Sequence, residues 1–370
     1  MATFNELGVS AQFIQALTEM NITKPSEIQE KAIPFLLKNQ QDFIGQAQTG
    51  TGKTAAFGLP LLMKVNPKSN EVQSLILAPT RELCQQIAKH LFKLTKHLTA
   101  KIFVEAVYGG EKIELQLRAL SRPTQIVVAT PGRLIDLLER KVLNLKSLRT
   151  IVLDEADEML SMGFKDELST ILRQSPPNTT KWLFSATLPS ALQKLIDTYM
   201  AKDTHTVQVK KAEIVNNLIE HQYFVCEERD KLNYVIQFIN TMNAATGIIF
   251  CRTKAAVQTL TKQLQSKNYE VDAIHGDLQQ KERDKVMRAF KSHKLKILVA
   301  TDISARGIDV DDLAYVIHYQ LPDMPEYYTH RSGRTARAGK RGISICFVSQ
   351  AETKRINEYT KLLNIIFRKV

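Results

Sequence analysis

Short apolar runs, each stopping at a small, hydroxyl-bearing or charged residue, recur along this chain with helical-looking stretches between them. Ser74–Pro79 runs into Thr80, Arg81 and Glu82, and Gln125–Ala129 into Thr130, Pro131, Gly132 and Arg133. Ile151–Leu153 runs into Asp154, Glu155 and Asp157, and Lys181–Phe184 into Ser185, Ala186 and Thr187. An apolar run without alternation suits a strand buried on both faces, which is the habit of parallel sheets. Parallel strands separated by helices make a doubly wound α/β sheet, and such sheets bind ligands outside the carboxyl ends of their strands. The polar run-ends therefore belong together, along one edge.

The pattern starts again in the second half, where Gly247–Cys251 ends in Arg252 and Thr253 and Lys296–Ala300 ends in Thr301 and Asp302. A chain of 370 residues is more readily two domains than one. The expected class is α/β, with two tandem doubly wound parallel-sheet domains over residues 1–207 and 216–370. The polar stretch near 201–214 holds the linker, placed at 208–215. The formal charge of +12 is spread through globular sequence rather than gathered in a tail, which points to a polyanion-binding surface built by the fold. The four cysteines are far apart and lack metal-ligand spacing, so they read as reduced, intracellular thiols. No apolar run is long enough to span a bilayer, and the amino-terminal residues do not have the pattern of a secretory signal. A cytoplasmic protein is expected.

Ala47–Thr54 reads Ala-Gln-Thr-Gly-Thr-Gly-Lys-Thr, a phosphate loop with Ala47 where the strict pattern has its first Gly. Small residues at Thr49, Gly50, Thr51 and Gly52 let backbone N–H groups close on phosphate oxygens at a helix N-terminus. Lys53 is then placed to neutralise the β- and γ-phosphates, and Thr54 to ligate Mg²⁺. Asp154, Glu155 and Asp157 at a strand end fit a Mg²⁺ site with a base beside it, and equally a solvated helix start. Ser26 with Gln29 three residues on reads as a capping box. In the second half, Arg331, Arg334 and Arg337 recur at three-residue spacing, which places them near one helix face. Such a stripe calls for an anion, either a carboxylate network or phosphate. One half thus carries a nucleotide site and the other carries clustered arginines. The economical reading is that domain closure brings Arg334 and Arg337 to the γ-phosphate.

Together these motifs, in this order and over nearly the whole chain, resemble the DEAD-box ATP-dependent RNA helicases. The resemblance rests on the phosphate loop, Pro79–Leu83, Thr130–Arg133, Asp154–Asp157, Ser185–Thr187, Arg306–Asp309 and His330–Arg337. It implies two RecA-like domains, with ATP and Mg²⁺ as cofactors. Gln29 would read the adenine edge, and Lys53 and Thr54 would hold phosphates and Mg²⁺. Asp154 would bind Mg²⁺, and Glu155 would orient and deprotonate the attacking water. Asp157, Ser185, Thr187 and His330 would couple nucleotide state to closure. Arg334 and Arg337 would be the fingers, with Asp309 by the ribose. Thr80, Arg81, Gly110, Thr130, Arg133, Arg252, Thr253 and Thr301 would line the RNA sugar–phosphate backbone. Ile22 stands where the family usually has an aromatic that stacks on adenine, so contact there becomes plainly apolar, and Phe4 upstream could compensate. Ser332 and Ala336 stand where Ile and Gly are more usual; both are small and should leave the arginines in place. The implied partner is RNA, bound without regard to sequence, by a monomer steered by protein cofactors, with no membrane. The implied activity is ATP-driven unwinding of short duplexes or remodelling of RNA–protein complexes, the alternative being an ATP-gated RNA clamp.

Overall fold

The computed structural model describes residues 2–48, 50–209, 218–305, 313–336 and 340–370. Thr49, Arg337, the run Arg306–Asp309 and most of the expected linker lie outside the described residues. Two compact units divide the chain, Met1–Lys211 and Ala212–Val370.

The first unit is built on β1 (Phe43–Gln46), β2 (Ser74–Leu77), β3 (Val104–Val107), β4 (Ile126–Ala129), β5 (Thr150–Asp154), β6 (Thr180–Ser185) and β7 (His205–Gln208). They form one seven-stranded sheet in the order β3-β4-β2-β5-β6-β1-β7. Each pairing is parallel. Helices cover both faces, and β5 shows why Ile151, Val152 and Leu153 are all apolar. Val152 packs in the cluster with Phe43, Phe57 and Phe184, while Ile151 and Leu153 pack on the other side with Leu75, Val127 and Leu183. Successive side chains of a strand point to opposite faces, so a strand under helices on both sides needs apolar residues at every position.

The second unit repeats the plan with β8 (Ile219–Val225), β9 (Gly247–Cys251), β10 (Val271–Ile274), β11 (Ile297–Thr301), β12 (Tyr315–His318), β13 (Gly342–Val348) and β14 (Arg368–Lys369). Its parallel order is β10-β11-β9-β12-β13-β8-β14. Both units are therefore doubly wound sheets, as expected.

Two expectations change. Residues 205–208, read as polar approach to the linker, form the edge strand β7 on β1, with Gln208 as its last residue opposite Gln46. Only Val207 of that strand is buried, so an edge strand with one inward side chain has the composition of a loop. The arginine stripe also dissolves. The helix Pro325–Ser332 stops at its C-cap Gly333, so Arg331 is inside it and Arg334 lies in the turn beyond.

Candidate functional site

The phosphate loop leaves the carboxyl end of β1 and enters the helix Lys53–Lys64. Among its described residues, Gly50 and Gly52 have positive φ, at +80° and +88°. Ala47 has an ordinary φ and packs into the core, which is why alanine serves where the strict pattern has glycine. The Lys53 ammonium folds back to donate to the Ala47 carbonyl at 3.0 Å. Gln29 does two jobs. Its Oε1 accepts the Ser26 N–H at 3.0 Å, the capping bond, and its Nε2 donates to the Gly52 carbonyl at 3.0 Å. Ser26 Oγ donates to the Thr51 carbonyl at 2.7 Å. The start of the helix Glu27–Lys38 is thereby riveted to the phosphate loop, and Gln29 is 3% exposed.

Asp154 ends β5, next to β6 and its terminal Ser185. Its carboxylate accepts the Glu155 N–H at 3.0 Å. Burial pushes its pKa up to about 7; Lys53 opposes the rise, and Glu155 and Asp157 add to it. Glu155 adopts a left-handed backbone, φ +52°, where the chain turns from strand to the short helix Ala156–Ser161. A side-chain residue pays for that conformation, and such strain gathers at working sites. Asp157 Oδ2 accepts both the N–H and the hydroxyl of Thr187, at 2.9 and 2.7 Å. Ser185 Oγ donates to the Thr187 carbonyl at 2.7 Å and accepts the Asp157 N–H at 3.3 Å. The Ala47 N–H donates to the Ser185 carbonyl at 3.0 Å, and Gln46 Nε2 to the Ala186 carbonyl at 3.3 Å. Phosphate loop, acidic run and the turn after β6 are one hydrogen-bonded piece. Among the described residues no group of three or more His, Cys, Asp or Glu side chains could hold a metal ion. The Thr54 hydroxyl and the Asp154 carboxylate are hard oxygen donors of the kind Mg²⁺ takes together with phosphate and water.

The ends of β2, β3 and β4 gather a second group. Thr80 caps the helix Arg81–Leu94 through its hydroxyl, which accepts the Leu83 N–H at 3.3 Å. The Arg81 guanidinium lies over the Tyr108 ring, 4.8 Å from its centroid. Gly110 beside it has φ +80°. Thr130 caps the helix Pro131–Glu139 by position, its N–H tied to the Val107 carbonyl at 3.1 Å. Arg133 donates to Gln116 Oε1 at 2.9 Å and to the Glu111 carbonyl at 3.2 Å. Thr80, Arg81, Gly110, Thr130 and Arg133 thus lie along one sheet edge, at the ends of β2, β3 and β4. Tyr108, Glu111 and Gln116, which hold the arginines, carried no motif and were not singled out from sequence.

In the second unit the Arg252 guanidinium pairs with Asp323 at 2.6 Å, and the Arg252 backbone N–H donates to Gln320 Oε1 at 2.9 Å. Thr253 caps the helix Lys254–Gln265, its hydroxyl accepting the Ala256 N–H at 3.1 Å. Thr301 ends β11, with its hydroxyl 2.9 Å from Ser304 Oγ. Arg331 is not an exposed cation. Its Nε and Nη2 grip Asp302 at 2.6 and 2.7 Å, Nη1 donates to the Gln320 carbonyl at 2.9 Å, and the group stacks over Phe250. The carboxylate alternative holds for this arginine. His330 and Arg334 line a small recess with Phe250, Asp302, Ala305, Tyr327 and Arg331.

Ile22 is half-buried against the core of the first unit. Phe4 is 3% exposed within that core, so it is packing rather than a spare stacking ring. All four cysteines are buried and free. No helix among the described residues is long and apolar enough to cross a membrane.

The DEAD/DEAH box helicase family model matches residues 26–195, and that of the helicase conserved C-terminal domain matches 230–339. The ATP-dependent RNA helicase CshA of Listeria monocytogenes is 44% identical over 354 residues, covering 95% of this chain and 67% of CshA. Among solved structures, S. cerevisiae Dbp5 bound to RNA and ADP BeF3 has a TM-score of 0.91 at 34% identity, covering 100% of this chain and 96% of the other. A Dbp5 variant bound to a Gle1 variant and IP6 has a TM-score of 0.80 at 34% identity, covering 100% and 95%.

Proposed function

The chain belongs to the DEAD-box ATP-dependent RNA helicases, and from that premise we propose how its own residues carry ATP-driven RNA remodelling. The observation that carries the assignment is the hydrogen-bonded piece joining the phosphate loop to Asp157, Ser185 and Thr187. A change at the γ-phosphate is felt there without an intermediary.

Backbone N–H groups of the loop through Gly50, Thr51 and Gly52, with Thr49, hold phosphate oxygens. Lys53, now on the Ala47 carbonyl, moves to the β- and γ-phosphates. Thr54 and Asp154 would hold Mg²⁺, which when bound neutralises phosphate oxygens. Glu155 orients the attacking water and takes its proton. Gln29 keeps the loop in shape while its remaining amide N–H and carbonyl lone pair are available to adenine, and Ile22 offers adenine an apolar face. In the second unit Asp309 serves the ribose, and His330 joins the coupling set. Arg334 and Arg337 reach the γ-phosphate when the units close, stabilising charge that develops in phosphoryl transfer.

RNA lies along the sugar–phosphate contacts offered by Thr80, Arg81, Gly110, Thr130, Arg133, Arg252, Thr253 and Thr301. Contacts of that kind carry no base information, so binding is sequence-independent and weakens with salt. A strand bent between two domains cannot stay in a regular duplex, so short duplexes are pried open locally. ATP favours the closed state because only that state places the arginines on the γ-phosphate; hydrolysis removes the preference and releases RNA. The protein acts as a cytoplasmic monomer, and the Dbp5 complex with Gle1 supports steering by protein cofactors.

The test is Glu155→Gln. It should retain ATP and RNA binding while RNA-stimulated turnover falls by at least about 100-fold, the scale of a lost general base. Hydrolysis at the parental rate would remove Glu155 from the role.

A further inference from the structure

Beneath the helix that carries His330 lies a chain of buried polar side chains that the reaction above does not use. His318 is the last residue of β12, and Ser344 and His221 stand opposite each other on β13 and β8. Tyr328 and Ser332 come down from the helix Pro325–Ser332. Ser344 Oγ is the hub. It is 3.0 Å from His318 Nε2, 3.2 Å from the Tyr328 hydroxyl and 2.8 Å from Ser332 Oγ. The Tyr328 hydroxyl is 2.6 Å from His221 Nδ1. At the other end Arg331 Nη1 is 3.5 Å from His318 Nδ1. His318, Tyr328 and Ser344 are fully buried, and Ser332 and His221 nearly so.

The direction of these bonds follows from the guanidinium, which can only donate. His318 Nδ1 then accepts, so its Nε2–H donates to Ser344 Oγ. Ser344 donates to the Tyr328 oxygen, Tyr328 donates to His221 Nδ1, and Ser332 donates to Ser344. Burial holds both imidazoles neutral, lowering His221 to about 4 and His318 well below its ordinary value, which is the protonation this order requires.

Buried hydroxyls and imidazoles in a hydrophobic core cost free energy unless their partners are in place, and in this chain of bonds all are paired except His221 Nε2. Apolar contact is non-directional and tolerates a small slide of the helix, whereas this chain of bonds does not. The same helix end leads into the turn of Arg334, whose N–H donates to the Arg331 carbonyl at 3.1 Å. Beyond it, the Thr335 hydroxyl donates to the Leu313 carbonyl.

We propose that His221, His318, Tyr328, Ser332 and Ser344 are positioning residues that lock the helix Pro325–Ser332 in one register, and with it the turn that presents Arg334. The inference rests on the reading of Arg334 as a finger.

The test compares Tyr328→Phe, Ser332→Ala and Arg334→Ala in the full chain, by RNA-stimulated ATP hydrolysis well below each variant's melting temperature. Misplacing a reacting group by about 1 Å costs up to about 100-fold. Tyr328→Phe should therefore lower kcat about tenfold while KM for ATP stays within about twofold. Ser332→Ala removes one hydroxyl without adding volume, should shift kcat the same way, and stands in where Tyr328→Phe fails to fold. If Arg334→Ala lowers kcat but the network variants only melt earlier at parental kcat, the network is mere stabilisation and the proposal is overturned. If Arg334→Ala itself keeps parental kcat, the finger reading fails and the proposal goes with it.

Discussion

Replacing Asp154 with Asn should stabilise the ligand-free first unit, by an amount that grows with pH. The folded carboxyl holds its proton to about pH 7 because burial disfavours the charge, against a reference of 3.8. Between those values the folded state binds more protons than the unfolded chain. Stability is therefore full below about pH 4, falls as pH rises through the window and stays low above it. A shift of roughly three units at about 1.4 kcal/mol each sets a ceiling of about 4 kcal/mol, and relaxation around a buried charge leaves about 2–4 kcal/mol to be seen. Asn carries no charge and keeps an oxygen for the Glu155 N–H. Parent and variant should be equally stable near pH 4, with the variant ahead at pH 8. Trp182 is the only tryptophan of the chain, 1% exposed and paired with Val152 of β5. Its fluorescence during urea unfolding, with a chelator and no nucleotide, reports the unit holding Asp154 without requiring both units to unfold together. A variant less stable than its parent at pH 8, or offset equally at pH 4 and pH 8, would refute the reasoning.

Gly52→Ala should raise Kd for ATP at least about tenfold, since a penalty of about 1.4 kcal/mol already does so. Its Cβ would sit 2.3 Å from Gln29 Nε2 at a φ of +88°; nucleotide titration showing unchanged affinity contradicts this. Arg331→Met should destabilise the second unit by about 3–5 kcal/mol, because it leaves Asp302 beside a buried, unpaired site. Hydrogen exchange along β11 and β12 reads that loss, and a change under about 1 kcal/mol would show the pair to be incidental.

Central strands were legible in sequence because both faces are buried, so β2, β4, β5, β6, β9 and β11 each carry an unbroken apolar run of three or more residues. Edge strands were not. In β3 the residues before Val107 are only half-buried, and β7 buries Val207 alone. The phosphate loop was legible because its chemistry is local in sequence. Gln29 shows a motif underestimating its residue: the capping bond is present, and the same amide also braces Gly52. Arg331 shows spacing misleading. Its anion, Asp302, lies 29 positions away in the chain, and the helix ends before the stripe can form. Ala336 departs from the family pattern at a cost the sequence did not show, since its φ of +58° is one that glycine adopts freely. Ser332, expected only to be small, is part of a buried network whose other members come from three different strands and the same helix.

The most direct measurement of the central claim is steady-state ATP hydrolysis by the protein alone, with single-stranded RNA, and with DNA of the same sequence. RNA-driven closure predicts stimulation by RNA and not by DNA, because the 2′-hydroxyl distinguishes the two along a shared backbone path. Equal rates under all three conditions would contradict it and leave an ATPase whose basic surface does not govern its turnover.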